Sequence, residues 1–334
     1  MRIRYVLKRL AVLLLVLWTA ATLNFLVPRL SGRNPVLEKI LSMTAGGGAY
    51  AMGINEMADA WEKRFGLDQP LWKQYVAYLS DIAHLDFGYS LAQFPKRVSD
   101  QIAEALPWTL GLVGTSTLMS FILGSLLGAV MAWRKSSRLL NLFVPPLIAV
   151  SAVPYYILGL VFIYLFAVRF KIFPLYGGHT IGSIPSHSLS WYIDIAYHSI
   201  LPALSIVFAS IGNWALAMRG MMTTIGGEDY MVLAEAKGLK QRRIFWRYGV
   251  RNTLLPQATN LAVSLSLVVS GSVLVEKVFS YPGIGGLLFT SVVYSDYNTI
   301  SGIVFLMILA IGLATLVLDL TYPLLDPRIT YGGG

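Results

Sequence analysis

The chain has 334 residues, 56% of them hydrophobic and 13% charged, with a mean hydropathy of +0.63 and a formal net charge of +9. So apolar and sparsely charged a composition excludes an ordinary soluble globular protein. The absence of cysteine excludes disulfides and thiolate metal sites.

From the N-terminus, residues 10–28 are the first of six charge-free segments long enough for a bilayer core, which needs about 20 apolar residues. The others are 105–133, 139–168, 199–218, 252–275 and 297–318. Six such runs predict an all-α polytopic membrane protein rather than a set of buried core helices. Arg2, Arg4, Lys8 and Arg9 before the first run also suit a signal peptide. That run is longer than a signal core, however, and residues 28–33 offer no small-residue cleavage site, so a retained helix with its N-terminus inside is expected. The cytoplasmic segments are then 1–9, 134–138, 219–251 and 320–334, holding 15 Lys and Arg against four acids, Glu228, Asp229, Glu235 and Asp326. The short outer loop 280–296 has neither Lys nor Arg. The net charge therefore reads as topology, not as nucleic-acid binding.

The first outer loop, residues 29–104, is the largest extramembrane piece. Apolar positions 54, 57, 58, 61 and 65 fall at helical spacing, with Gly66 as a stop. Asp68 caps a second expected helix with Pro70 in its first turn, placing Trp72, Tyr75, Val76, Leu79 and Ile82 on one face. Such helices either pad the outer rim of the bundle or dock an external partner. Beyond them, Pro107 and Pro202 are expected to open the second and fourth spans, while Pro145, Pro146 and Pro154 interrupt the third. Gly111, Gly114, Gly124 and Gly128 in the second span are expected to let helices approach closely.

Between the fourth and fifth spans lies the densest basic stretch. Gly226-Gly227-Glu228-Asp229 predicts a helix start, and Gly238 a stop. The helix between them is about two turns long, and the small Ala234 and Ala236 near its end suit a groove in another protein. In the helix that follows, Arg243, Arg247 and Arg251 form one basic stripe, and Ile244 and Tyr248 an adjacent apolar one. A helix laid on anionic lipid would explain the arginines, but not the Ala-x-Ala-Lys-Gly segment before them.

Catalytic chemistry is sparse. No phosphate-binding G-x-x-x-x-G-K-[ST] loop and no H-E-x-x-H is present, and His84, His179, His187 and His198 all lie outside the expected spans. Glu276 and Lys277 flank the outer end of the fifth span and Asp319 the inner end of the sixth, so no carboxylate is expected at mid-bilayer. That weighs against a proton-driven carrier and against an intramembrane enzyme. Asn213, Asn260, Ser264 and Ser270 are polar residues within the fourth and fifth spans. They are candidates for a solute path, with interhelical hydrogen bonding as the alternative.

Gly227-Glu228-Asp229-Tyr230, Ala234, Ala236-Lys237-Gly238-Leu239, then Arg251-Asn252 and Pro256, resemble the cytoplasmic loop of ABC-importer permease subunits of the dipeptide/oligopeptide permease B group. Counting back from Gly238, the wider family's glutamate position is held by Val232, and Glu235 is not its equivalent. Gly66–Tyr75, Asp86-Phe87-Gly88-Tyr89-Ser90, Phe279–Gly285 and Asp326-Pro327-Arg328-Ile329 resemble further segments of the same group. Residues 31–65 are longer than is typical of it.

The resemblance implies six transmembrane helices in the cytoplasmic (inner) membrane of a prokaryote, with both termini inside. It divides the chain into an N-terminal span (1–28), an outer region (29–104), a transmembrane core (105–325, coupling loop 219–251) and a tail (326–334). Implied partners are a second permease subunit forming a heterodimer, two ATPase subunits, an external solute-binding protein and the bilayer. No cofactor is expected in this chain, since ATP and Mg would sit on the ATPases. Glu228, Asp229, Tyr230, Ala234, Glu235, Ala236, Lys237, Gly238, Leu239, Arg243 and Arg247 would form the coupling surface. Oligopeptides are the implied substrate, with oligosaccharides as the alternative. An ion-coupled secondary transporter, or a scaffold using the outer loop, are the rival classes.

Overall fold

The computed structural model describes residues 3–30, 69–133, 142, 144–183, 185–186, 188–268 and 273–325. The expected helix over 54–65, the cap of the second helix at Asp68, Ser270 and the 326–329 motif lie outside these. Among the described residues the chain is helical, with one isolated bridge between Tyr89 and Arg97. The helices are α1 (Ile3–Leu30), α2 (Leu71–Ala83), α3 (Val98–Ala132), α4 (Val144–Ser151), α5 (Tyr155–Arg169), α6 (Leu189–Ile225), α7 (Asp229–Ala236), α8 (241–266), α9 (Val273–Val278), α10 (Ile284–Val293) and α11 (Tyr297–Leu325).

Four of these, α1, α3, α6 and α11, are long and apolar enough to cross a bilayer, and α4 with α5, bent by 99° between them, would make a fifth. The fifth span expected from sequence is not one long apolar helix among the described residues. The part of α8 from Arg251 to Ser266 carries Asn252, Thr253, Gln257, Thr259, Asn260 and Ser264, and α9 adds only six residues. Helices also outrun the charge-free segments. α3 starts at Val98 and α6 at Leu189, so Pro107 and Pro202 lie inside helices rather than opening them. Charge limits what a bilayer accepts, not where helical hydrogen bonding stops. Pro107 lacks the N–H that would complete its turn, and three residues later Leu110–Gly114 widens into a π-helical turn, a common way to absorb such a break.

The chain forms two compact units, 1–107 with 283–334, and 108–282. In the first, α1 runs antiparallel to α11. Arg9 pairs with Asp319 at 3.1 Å near one end, and Asn24 Nδ2 donates to the Ser301 carbonyl at 3.1 Å near the other. α2 lies against α1 through Tyr75 and Tyr78 on Phe25, and the Tyr75 and Thr22 hydroxyls are hydrogen-bonded at 2.7 Å. Burial pushes the Tyr78 phenol up to about 12, keeping it neutral in this contact. The buried face of α2 is therefore Tyr75, Tyr78, Leu79 and Ile82. Trp72 and Val76, expected on it, are 65% and 59% exposed, and Pro70 precedes the helix rather than joining its first turn.

Asp296 ties this unit together. Its side chain is 1% exposed and accepts from the Ser90 hydroxyl, the Leu91 and Ala92 backbone N–H groups, and both the N–H and hydroxyl of Thr299. It is thus at once the N-cap of α11 and the clasp of the loop before α3. Asp296→Ala would leave buried donors unanswered and should destabilise this unit by about 3 kcal/mol or more. A thermal-unfolding midpoint unchanged from wild type in the detergent-solubilised protein would contradict that.

In the second unit, α3 and α6 pack at backbone distance. A Cβ on Gly124 would lie 2.6 Å from the Ile211 carbonyl oxygen, and one on Gly128 only 2.1 Å from that of Ala215. Gly111 has nothing within 4 Å and Gly114 meets only Val268 at 3.9 Å, so two of the four expected contact glycines serve that role. The core around Leu112, Leu201, Ile206, Val275, Phe279 and Tyr281 also encloses Glu276, which is fully buried and accepts from the Thr109 hydroxyl at 2.8 Å. A position at the end of a span therefore did not mean exposure for this carboxylate.

Candidate functional site

The candidate site is the connection from α6 through α7 into α8, all within the second unit. α6 ends at Ile225 and the chain turns through Gly226 and Gly227. Glu228 adopts extended backbone ahead of α7 without its side chain capping the helix, while Asp229 places an acid in the first turn. The two acids are exposed, where their charge complements the free N–H groups of the helix start.

α7 has two dissimilar faces. Met231 and Ala234, 5% and 2% exposed, pack on the fully buried Ile244 with Tyr230, Leu239, Tyr248, Trp133 and Ile225 around them. Ala234 is therefore small because its own chain lies against it. This corrects the expectation that it reaches into a foreign groove. On the outward face, Val232 and Leu233 are 55% and 54% exposed, with Ala236 and Lys237 exposed beyond them. Glu235 is half-buried. An eight-residue helix thus holds out two adjacent aliphatic side chains that take no part in the cluster beneath it.

The C-terminus of α7 is locked. Gly238 takes φ +69°, its N–H donates to the Glu235 carbonyl at 2.9 Å, and the Leu239 N–H reaches back to the Ala234 carbonyl at 3.3 Å. This paired arrangement, with Leu239 packed in the same cluster as Ala234, is the Schellman motif, and it needs a residue free to adopt positive φ. α8 then begins with Gln241–Arg243 and widens into a π-helical stretch, Ile244–Val250, before continuing as an α-helix. Ile244, Gly249 and Val250 face inward, with Gly249 close against the Met222 side chain. Arg243, Arg247 and Arg251 are all exposed, as is Trp246 at 46%. The expected basic stripe and apolar stripe are both present on this helix. In sequence order the exposed groups are two acids, an aliphatic pair, Lys237, then arginines.

Of the candidate path residues, Asn213, Asn260 and Ser264 are described. Asn213 on α6 and Asn260 on α8 are exposed and Ser264 is half-buried; no hydrogen bond links one to another among the described residues. The polar residue that sequence reasoning missed is Gln257. It is fully buried on α8, and among the described residues neither end of its amide has a hydrogen-bond partner. Its place just after Pro256 gave no signal of burial, because Asn260 three residues on is exposed. An unanswered buried amide is costly, so Gln257→Leu, close to isosteric, should raise the stability of this conformation by about 1 kcal/mol. A lower thermal midpoint for that variant would show that the amide is satisfied in the working protein.

Residues 124–331 match the family described as "Binding-protein-dependent transport system inner membrane component". The chain is 33% identical over 332 residues to a putative peptide permease protein of Brucella suis biovar 1, covering 98% of this chain and 99% of that protein. It is 32% identical over 334 residues to the glutathione transport system permease protein GsiC of Escherichia coli K12, again covering 98% and 99%. Similarity to the dipeptide transport system permease protein DppB of Lactococcus lactis subsp. cremoris is 27% over 327 residues, with the same coverage.

Proposed function

Because the chain belongs to the family of binding-protein-dependent transport system inner membrane components, we propose that it is one permease subunit of an ATP-driven importer of oligopeptides. In this reading it crosses the cytoplasmic membrane of a prokaryote six times with both termini inside. A second permease subunit completes the translocation path, two cytoplasmic ATPases bind ATP and Mg, and an external solute-binding protein delivers the substrate. The relatives named for peptides, dipeptides and glutathione favour peptides over oligosaccharides.

The observation that carries the proposal is the two-faced α7. A coupling element must be gripped from outside and yet be rigid on its own chain. Val232 and Leu233 offer the grip, with Glu228, Asp229, Lys237, Arg243 and Arg247 as charged surroundings. Met231 and Ala234 supply the rigidity, because they seat on Ile244 of α8 beside Ile225 of α6. A displacement of α7 by an ATPase would therefore be passed to both long helices at once, the requirement for alternating access. An ion-coupled carrier needs a buried carboxylate that binds and releases its ion. The two most buried carboxylates among the described residues, Glu276 and Asp296, accept hydrogen bonds from neighbouring hydroxyls instead.

Reconstitution tests the reading. Proteoliposomes holding the four-subunit assembly should take up labelled oligopeptides only with ATP and the solute-binding protein, and ionophores should not affect the rate. Uptake that proceeds without ATP, or that ionophores abolish, would contradict it.

A further inference from the structure

α1 carries its own depth scale. Residues 10–28 have no charge, and at about 1.5 Å per residue this run rises about 28 Å, close to the thickness of a bilayer core. Arg29 therefore marks the membrane boundary at this end of the span. α2 starts at that mark and is seated below it. Gln74 Oε1 accepts from the Arg29 guanidinium at 3.0 Å, and the Tyr75 and Thr22 hydroxyls share the hydrogen bond already described. The rings of Tyr75 and Tyr78 lie 5.2 and 5.4 Å from that of Phe25, and Ile82 packs with Ala21 and with Phe305 of α11. Ala21, Thr22 and Phe25 all belong to the charge-free run, within about two turns of Arg29. α2 thus lies at the level where headgroups meet acyl chains.

The helix has an apolar strip that its seat does not use. Turning about 100° per residue, α2 places Trp72, Val76 and Ala83 next to Tyr75 and Leu79, and all three are exposed. Lys73, Ala77 and Asp81, also exposed, form a separate polar side. Lys73 Nζ stands 5.7 Å from the centroid of the Trp72 ring, an ammonium at the polar edge of an indole.

Three observations say what meets the strip. Leu23, Leu26, Val27 and Leu30 of α1 are exposed beside the Thr22–Phe25–Arg29 ridge that carries α2, and exposed leucines on a membrane-crossing helix face lipid. The strip is apolar surface at that same depth, where a protein arriving from water would first have to enter the headgroup layer. Its chemistry also suits the boundary, with an indole and a valine directed to the acyl region and a lysine able to reach back to water. We propose that Trp72 and Val76 are immersed in bilayer lipid, which makes α2 an interfacial anchor for this end of α1 and α11 and not a docking surface. The proposal needs only that α1 crosses the bilayer, whatever the transporter carries.

Nitroxide labels test it, because the native chain has no cysteine. Val76→Cys, Trp72→Cys and Ala77→Cys are each labelled in the assembled transporter in nanodiscs, and collision with dissolved oxygen is compared with collision with a polar nickel chelate. The oxygen-to-nickel ratio should be roughly tenfold higher at positions 76 and 72 than at 77, since the chelate is excluded from hydrocarbon. Adding the solute-binding protein should leave it unchanged. The two strip positions are independent, so one remains readable if the other label disturbs the helix. Equal ratios at all three positions would overturn the proposal by showing an aqueous face. Shielding of positions 72 and 76 from both reagents would overturn it by showing a face covered by protein, and a fall in both collisions only when the solute-binding protein is added would assign the strip to docking. None of these readings depends on uptake, so failure here is distinct from failure of the importer reading.

Discussion

Leu233→Glu should lower ATP-driven uptake roughly 30-fold, the effect of losing about 2 kcal/mol at a central interface contact, while the subunit remains inserted and folded. The side chain is 54% exposed and makes no part of the cluster beneath α7, so the change spares the fold and alters only what a partner meets. Val232→Glu should act alike, and Ala236→Glu, on the same exposed side, should also uncouple. Gly238→Pro reaches the same end by another route. Proline fixes φ near −65°, whereas Gly238 sits at +69° and donates its N–H to Glu235. The last turn of α7 would unwind and the outward pair would lose its fixed position. Arg243→Gln should cost far less, because exposed charges at a rim contribute little. The measurement is the initial uptake rate in proteoliposomes, normalised to assembled complex. Undiminished uptake by Leu233→Glu and Gly238→Pro would refute α7 as the coupling helix.

The second large effect concerns assembly of the bundle. Gly128→Ala should destabilise the protein by about 3 kcal/mol, since overpacking between elements that cannot separate costs roughly 1–3 kcal/mol or more. The added carbon would lie 2.1 Å from the Ala215 carbonyl oxygen and 2.8 Å from its carbon, both backbone atoms inside α6. No rotamer change relieves that contact; α3 and α6 must move apart along their length. Gly111→Ala is the internal control, a glycine of the same helix with nothing within 4 Å. Paired thermal-unfolding curves should show Gly128→Ala melting several degrees lower and Gly111→Ala close to wild type. Equal midpoints would mean that α3 and α6 do not approach as closely as described.

These two glycines show how far the sequence could be read. Gly111, Gly114, Gly124 and Gly128 look alike in a charge-free run, and no periodicity tells which of them faces α6. The π-helical turn at Leu110–Gly114 adds a residue to the helix and rotates everything after it, so helical spacing cannot be carried across it. The same holds at Ile244–Val250, although there the arginines happen to stay on one side. Apolar runs were legible because lack of charge over a long stretch has one physical use. α1 and α11 needed nothing more, whereas the polar run from Arg251 to Ser266 belongs to no long apolar helix among the described residues.

Around α7, the boundaries were legible because they rest on local chemistry. Gly238 in a left-handed position and the acids before the helix are signals of short range. The direction of its faces was not, because it depends on contacts outside the helix, with Ile244 of α8 and with Trp133 just past α3. Ala234 was read as reaching outward and is in fact the seat. Val232, noted only as a departure from the glutamate of related loops, is half of the outward pair. Asp296 was not among the residues singled out in the sequence: its clasp on Ser90, Leu91 and Ala92, some 200 residues earlier, left no trace in the pattern.

The absence of cysteine makes the most direct test simple. A single cysteine placed at Leu233, and separately at Ala234, is offered a short bifunctional crosslinker in membranes that contain the complete transporter. The account predicts that Leu233→Cys joins this chain to an ATPase subunit with a yield that changes when ATP binds, while Ala234→Cys, buried beneath α7, forms no such product. A Leu233→Cys variant that never crosslinks to an ATPase, or crosslinks no better than Ala234→Cys, would contradict it.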